Sequence, residues 1–370
     1  MAAIRSFLRR EPVLLIAALA AAVSCLFVPP DARYLGYLDL RTLALLYCLM
    51  VVVAGLRQAG LFAHLAHTLC EKAGSVRVMG LLLVLLSFFS AMLITNDVAL
   101  LTFVPFAVVV LGMAQRRQAL IHIVVLQTIA ANLGSMLTPV GNPQNLYLYS
   151  RYGLGFGDFL RVTGPVWLVS LLLVSLGCLL LPGERLTLFL GEAPGLHRRE
   201  LWLYLALFAL CLLVVLRLLT WPVMLAALVA ALLVLDRKTL LRADFLLLLT
   251  FVAFFIFAGN LARIGAIDRL LRALLTGREY LVSLLASQVI SNVPAALLLS
   301  GFTENARPLL LGVNIGGLGT PIASLASLIS LKLYSHSEHA HPGRYLLEFT
   351  LLNLLFLLLL SLFCALPWFS

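Results

Sequence analysis

The sequence predicts an all-α polytopic membrane protein, and three observations carry that prediction. Hydrophobic residues make up 62% of the 370 residues and charged residues only 11%, with a mean hydropathy of +1.07; a soluble domain carries about 25% charge. Long apolar runs recur at 12–30, 42–56, 78–96, 98–115, 162–183, 201–216, 218–235, 245–262 and 345–370, and a run of about 20 such residues spans a bilayer. Finally, the chain repeats itself. Asn132-Leu-Gly134-Ser-Met-Leu-Thr138-Pro139-Val returns as Asn314-Ile-Gly316-Gly-Leu-Gly319-Thr320-Pro321-Ile. Helix-breaking residues are costly inside a bilayer unless the freed backbone lines a cavity, and a duplicated pair of breaks points to the binding site of a secondary transporter.

The elements follow in order. Residues 1–37 hold an N-terminal helix, expected over 12–29. It is read as retained rather than cleaved, although Arg5, Arg9 and Arg10 precede it and Ser24-Cys25 resembles a lipoprotein cleavage site. Residues 38–183 form a first repeat: a helix over 40–56, an amphipathic stretch from Arg57 to Arg77, a hairpin over 78–115, a broken helix over 118–150 and a helix over 164–182. Residues 184–241 are a charged linker loop and a helix pair, 201–219 and 222–235. The second repeat, 242–370, restates the plan. Its first helix, 245–260, ends in Ala258-Gly259 as the earlier one ends in Ala54-Gly55. An amphipathic stretch from Arg263 to Arg278, a hairpin over 280–303, a broken helix over 308–334 and a last helix over 345–367 follow. About nine spanning helices are expected.

Length decides what the polar tips Thr95-Asn96-Asp97 and Ser291-Asn292-Val293-Pro294 are. As a helix, residues 280–290 reach about 17 Å, half of a ~30 Å hydrocarbon core. The segment 280–303 is therefore expected to be a re-entrant hairpin with its tip near the midplane. The first tip follows by symmetry, although 78–94 is long enough to cross and would then leave Asp97 in a surface turn. Residues 118–150 are too long for one straight span. A break at Thr138-Pro139-Val-Gly141-Asn142-Pro143 resolves the excess, because proline stops a half-helix and glycine lets the chain turn.

Charge sets topology. With the N-terminus in the cytoplasm, more Lys and Arg fall inside than outside, despite Arg263, Arg269, Arg272 and Arg278. The two repeats are then inverted about the membrane plane, the arrangement that permits alternating access. The net charge of +10 reflects these loops. No basic patch with interleaved aromatics is present, so nucleic acid is not an expected partner. The six cysteines lie mostly in apolar segments without a CxxC pair, which reads as small buried residues.

Of the sixteen acidic residues, only Asp97 is placed deep in the membrane by this reading. Intramembrane acids are costly and are functional candidates by default. Asp97 could exchange a proton, or bind Na⁺ together with Thr95, Asn96 and backbone carbonyls; no other cofactor or metal is expected. The helix ends at the tips and breaks offer partial positive charge and free N–H groups. The substrate and ion site is thus assigned to Thr95, Asn96, Asp97, Asn132, Gly134, Thr138, Pro139, Gly141, Asn142, Ser291, Asn292, Asn314, Gly316, Gly319, Thr320 and Pro321. Single hydroxyls and amides elsewhere, such as Ser327 and Asn353, are better read as interhelical hydrogen-bonding groups. Gly153-Leu-Gly155-Phe-Gly157 lacks the Lys-Ser/Thr of a phosphate loop, and His336, His339 and His341 read as a solvated loop. No nucleophile–base pair suggests an enzyme, and no Walker motif suggests ATP drive.

The run Thr138-Pro139-Val-Gly141-Asn142-Pro143-Gln144-Asn145 resembles the signature of the ion transporter superfamily, which includes divalent anion–sodium symporters, citrate permeases, arsenite permeases and sodium/proton antiporters. Asn292-Val-Pro294-Ala with Thr320-Pro321-Ile-Ala-Ser324-Leu-Ala-Ser327-Leu is most similar to the arsenite and citrate permease branches. The resemblance covers about 40–368. It implies a scaffold domain, a transport domain with two re-entrant hairpins and two discontinuous helices, and a homodimer in the cytoplasmic (inner) membrane. In the dicarboxylate symporters a Ser-Asn-Thr triplet at each tip binds substrate and Na⁺. Here the asparagines match and Asp97 and Val293 depart, which weakens a dicarboxylate assignment. The expected function is secondary transport of a small inorganic or organic anion coupled to H⁺ or Na⁺, with arsenite efflux, Na⁺/H⁺ antiport and a passive channel as alternatives.

Overall fold

The computed structural model describes residues 12–113, 117–185, 192–338 and 340–366. Arg5, Arg9, Arg10, Arg116 and His339 lie outside them. Among the described residues there is no β-strand. The chain folds into helices α1 (Pro12–Phe27), α2 (Leu40–Gln58), α3 (Leu61–Cys70), α4 (Val76–Ile94), α5 (Asn96–Met113), α6 (Arg117–Gly134), α7 (Pro143–Arg151), α8 (Phe156–Cys178), α9 (Arg198–Val215), α10 (Trp221–Leu235), α11 (Phe245–Arg263), α12 (Gly265–Leu275), α13 (Glu279–Ile290), α14 (Asn292–Leu299), α15 (Ala306–Ile315), α16 (Leu325–Ser335) and α17 (Pro342–Cys364). Among the described residues, six segments are long and apolar enough to cross a membrane: α2, α4, residues 119–137, α8, α11 and α17. The protein is an all-α multi-pass membrane protein.

Local chemistry sets the helix ends. The Asp39, Ser75 and Asp244 side chains accept from the backbone N–H groups that open α2, α4 and α11. Helix α8 begins at Phe156, well before residue 164, with Pro165 inside it and Asp158 and Arg161 paired one turn apart at 3.1 Å on its exposed face. The first break is also earlier than expected. Two short 3₁₀ turns, Ser135–Leu137 and Pro139–Gly141, separate α6 from α7. Pro143 takes the first helical position of α7, where its missing N–H costs nothing, so Gln144 and Asn145 are helical.

The inner helices are the most buried. Residues 119–137 are 89% buried, against 22% for α17. Helix α4 packs on α5 and α6, and α13 packs on α14 and α15, so each repeat encloses its own broken helix. The repeats then exchange partners: α16 lies against α5 and α6, while α14 lies against α7. Helices α1, α2 and α9 to α11 form the other side, with α2 against α9 and α10, and α11 against α1. Both terminal glycines noted in the sequence face a tyrosine ring here. A Cβ on Gly55 would meet Tyr204 Cε1 at 2.1 Å, and one on Gly259 would meet Tyr37 Cγ at 2.5 Å.

Glu348, in α17, meets His122 Nδ1 of α6 at 2.6 Å. The last helix starts at Pro342 rather than 345.

Candidate functional site

Both hairpin tips adopt one unusual backbone conformation. Thr95 has φ 71° and ψ 153°, and Ser291 has φ 71° and ψ 154°. This region is essentially glycine-only, and a side chain there stores strain of about 1–3 kcal/mol. Each tip is braced by the same contact. The Thr138 hydroxyl donates to the Met92 carbonyl, and the Thr320 hydroxyl donates to the Gln288 carbonyl at 3.1 Å. Met92 and Gln288 each stand three residues before their tip. The threonine of each Thr-Pro break is therefore fastened to the inbound arm of its own hairpin.

The remaining supports differ between the repeats. In the first, Thr138 also accepts from the Gly141 N–H at 3.1 Å, and Trp167 Nε1 donates to the Gly134 carbonyl at 3.2 Å. Gly134 lies so close to α4 that a Cβ would stand 2.0 Å from the Phe88 carbonyl oxygen. In the second, Gln288 does the work: its Nε2 donates to the Gly316 and Leu318 carbonyls at 2.8 and 3.0 Å, and its Oε1 accepts from the Thr320 N–H at 2.9 Å. Gly319, at φ 100°, passes 2.3 Å from that Oε1 by the same Cβ measure.

The duplicated asparagines join the two repeats. Asn132 Oδ1 accepts from Asn96 Nδ2 of the first tip and from Ser324 Oγ after the second break, both at 2.9 Å. Asn132 Nδ2 donates to Ser327 Oγ at 3.4 Å. Asn314 Nδ2 donates to Asn145 Oδ1 at 2.7 Å. Asn145 stands to Asn132 as Ser327 stands to Asn314, so the two bonds are the same bond made in opposite directions. At the second tip, the Asn292 N–H donates to the Ala323 carbonyl at 2.9 Å, and Ser291 Oγ donates to the same oxygen at 3.3 Å. Through Ala323, Ser324 and Asn132, the tips form one connected strap.

The structure thus brings Asn96, Asn132, Asn142, Asn292 and Asn314 into a buried amide cluster, each 2–4% exposed. Asp97 opens α5, and its N–H donates to Asn96 Oδ1 at 2.9 Å. Its Oδ1 is buried without a hydrogen-bond partner, in the first turn of a helix whose dipole favours negative charge. Pro139 lies in the second 3₁₀ turn. Thr320 is exposed and Pro321 half-buried, so they brace the second hairpin at the edge of the cluster. Ser135, Gln144, Asn145, Gln288, Ser324 and Ser327 were not assigned to the site by sequence. Asn145 and Ser327 were legible from the duplication, since each follows its repeat's asparagine at the same interval. Asn353 donates within its own helix to the Phe349 carbonyl at 2.8 Å.

The sequence has relatives. The family model described as "Citrate transporter" matches residues 1–306. The chain belongs to the citrate transporter family. An uncharacterized transporter of Methanocaldococcus jannaschii is 31% identical over 333 residues, covering 89% of this chain and 90% of the relative. The inner membrane protein YbiR of Escherichia coli is 30% identical over 304 residues, 80% of each. A silicon efflux transporter of Oryza sativa is 33% identical over 136 residues, covering 36% of this chain and 27% of the relative. Membership places the chain in the ion transporter superfamily, as a membrane transporter rather than an enzyme.

Proposed function

We propose that this transporter is a secondary carrier that moves a small anion, or an acid that forms one, across the cytoplasmic membrane, coupled to H⁺ or Na⁺ through Asp97. The observation that carries the reading is the reciprocal pair Asn132–Ser327 and Asn314–Asn145, which centres two related halves on one buried polar cluster. On this reading the hairpins at 78–115 and 280–303 are re-entrant, the repeats are inverted, the N-terminus is cytoplasmic and a homodimer forms through the outer helices. The cargo and its ion meet at Thr95, Asn96, Asp97, Asn132, Gly134, Thr138, Pro139, Gly141 and Asn142 and at Ser291, Asn292, Asn314, Gly316, Gly319, Thr320 and Pro321. The unpaired Asp97 Oδ1 supports a proton or Na⁺ there, because a buried acceptor without a partner is costly unless something visits it. The silicon efflux transporter among the relatives supports extending the cargo to small uncharged oxyacids, arsenite included.

Proteoliposomes test the reading. Citrate, succinate, sulfate, arsenite and Na⁺ are offered against imposed proton and sodium gradients. Saturable, gradient-driven accumulation of one solute is expected. Flux that neither saturates nor follows a gradient would indicate a channel, and Na⁺/H⁺ exchange with no other solute would indicate an antiporter.

A further inference from the structure

Three buried amides at the repeat junction have polar atoms that the protein leaves unpaired. Gln144, 1% exposed, has no partner for either Oε1 or Nε2, and Asn142 Oδ1 and Asn314 Oδ1 also have none. The orientation of both asparagines is fixed by their other bonds. Asn142 Nδ2 donates to Ser135 Oγ, which can only accept because its own proton goes to the Asn132 carbonyl at 2.8 Å. Asn314 Nδ2 donates to the Leu310 carbonyl at 2.8 Å as well as to Asn145. Both asparagines therefore hold out an oxygen. Asn145 Nδ2 in turn donates to the Ser135 carbonyl at 3.3 Å, so one hydrogen-bonded chain runs from Asn142 through Ser135 and Asn145 to Asn314. Gln144 sits inside it in sequence, in the first turn of α7.

Buried polar side chains that stay unpaired are rare and call for a partner from outside the chain. We infer that Gln144, with the Asn142 and Asn314 oxygens, contacts the cargo and selects one that donates hydroxyl hydrogens: an uncharged, hydroxyl-bearing acid rather than its ionised form. The inference rests on the carrier reading above and names its cargo class. Three amide oxygens repel a fully ionised oxyanion. A bare metal cation suits the oxygens but leaves the Gln144 N–H₂ facing positive charge. A hydroxyl both donates and accepts, so it satisfies both ends of Gln144 and the two asparagine oxygens together.

The test uses the full chain in detergent and in proteoliposomes, with boric, arsenious and orthosilicic acids as uncharged probes and citrate, sulfate and NaCl as charged ones. At least one uncharged acid is expected to raise the wild-type melting temperature. Gln144→Leu is expected to weaken that acid's apparent affinity tenfold or more without lowering the ligand-free melting temperature, because the lost side chain bonds nothing in the protein. Gln144→Met should behave alike. A purely structural glutamine would instead lose ligand-free stability, which overturns the inference. So would stabilisation by the charged probes alone, or unchanged binding of the uncharged acid to Gln144→Leu. Gradient-driven citrate or sulfate uptake that survives Gln144→Leu would leave the carrier reading standing while this inference falls; absence of any solute flux in the wild type would remove the carrier reading itself.

Discussion

Asn314 Nδ2 donates to Asn145 Oδ1 at 2.7 Å across the two repeats. The bond ties the end of α15 to the first turn of α7, so neither break can shift without disturbing the other. Its symmetric partner, Asn132 to Ser327, is longer at 3.4 Å. Hydrogen bonds between membrane helices contribute about 0.6 kcal/mol on average and up to about 1.7. A double-mutant cycle with Asn314→Leu and Asn145→Leu, read from thermal unfolding in detergent, is expected to give a coupling near the upper value. A cycle on Asn132 and Ser327 should give the smaller one. Equal, near-zero couplings would remove the reciprocal bonds as the centre of the fold.

Asp97 is the acid at the site that keeps a buried, unpartnered oxygen. Asp97→Asn preserves shape and removes the charge. The variant is expected to fold and to melt as wild type does or slightly higher, since an unpaired buried carboxylate is a cost. Coupled accumulation is expected to fall at least tenfold in proteoliposomes under an imposed gradient, while counterflow without a gradient persists. Undiminished gradient-driven uptake in Asp97→Asn would take the coupling role away from this residue.

The tips hold strain that glycine would release. Thr95 at φ 71°, ψ 153° has a side chain where a hydrogen is preferred. Thr95→Gly is expected to raise stability by about 1 kcal/mol, the relief of strain being partly offset by the greater freedom of the unfolded chain. Thermal melting reads the stability and initial uptake reads the function. Higher stability with slower transport indicates a strained tip that serves the cycle; a lower melting temperature would show that the conformation is not strained.

Gly134 and Gly112 make a matched contrast. A Cβ on Gly134 would overlap the Phe88 carbonyl oxygen at 2.0 Å, whereas nothing lies within 4 Å of one on Gly112. Overpacking that must move backbone costs about 1–3 kcal/mol, while glycine to alanine in a helix gains up to about 1 kcal/mol. Gly134→Ala is expected to lower the melting temperature and Gly112→Ala to hold or raise it. Comparable losses in both would contradict the close approach of α6 to α4.

The helical, membrane-embedded class was legible because composition and run length report it directly. The duplication was legible too, since Thr138 and Thr320, or Asn132 and Asn314, stand in near-identical strings. What the string hid was everything set by which repeat faces which. Gln288 looks like any polar residue on an apolar arm, and only the fold brings the Gly316 and Leu318 carbonyls to its amide. Its counterpart at the first tip is Met92, so symmetry would not have found it. The contact between Glu348 and His122 joins helices far apart in sequence, so nothing local to either residue announces it. Gln144 was part of a recognised run, but its lack of partners is a property of packing alone.

The final prediction concerns acid. Asp236 caps the C-terminal end of α10, where the Tyr204 hydroxyl donates to Oδ2 at 2.7 Å, as does the Thr239 hydroxyl. These bonds, Tyr204 foremost, hold its carboxyl below the ordinary 3.8. A group whose pKa is depressed by folding stabilises the protein fully above its unfolded value and loses that contribution as pH falls through the folded one. The stabilisation is thus present at pH 5 to 7 and fades below about pH 4. Tyr204→Phe should lower stability at pH 6 by about 1 kcal/mol, discounted because the carboxyl is largely solvated. The deficit should shrink as unfolding is measured at pH values below 4. A deficit independent of pH would mean that the Tyr204 hydroxyl does not act through the charge on Asp236.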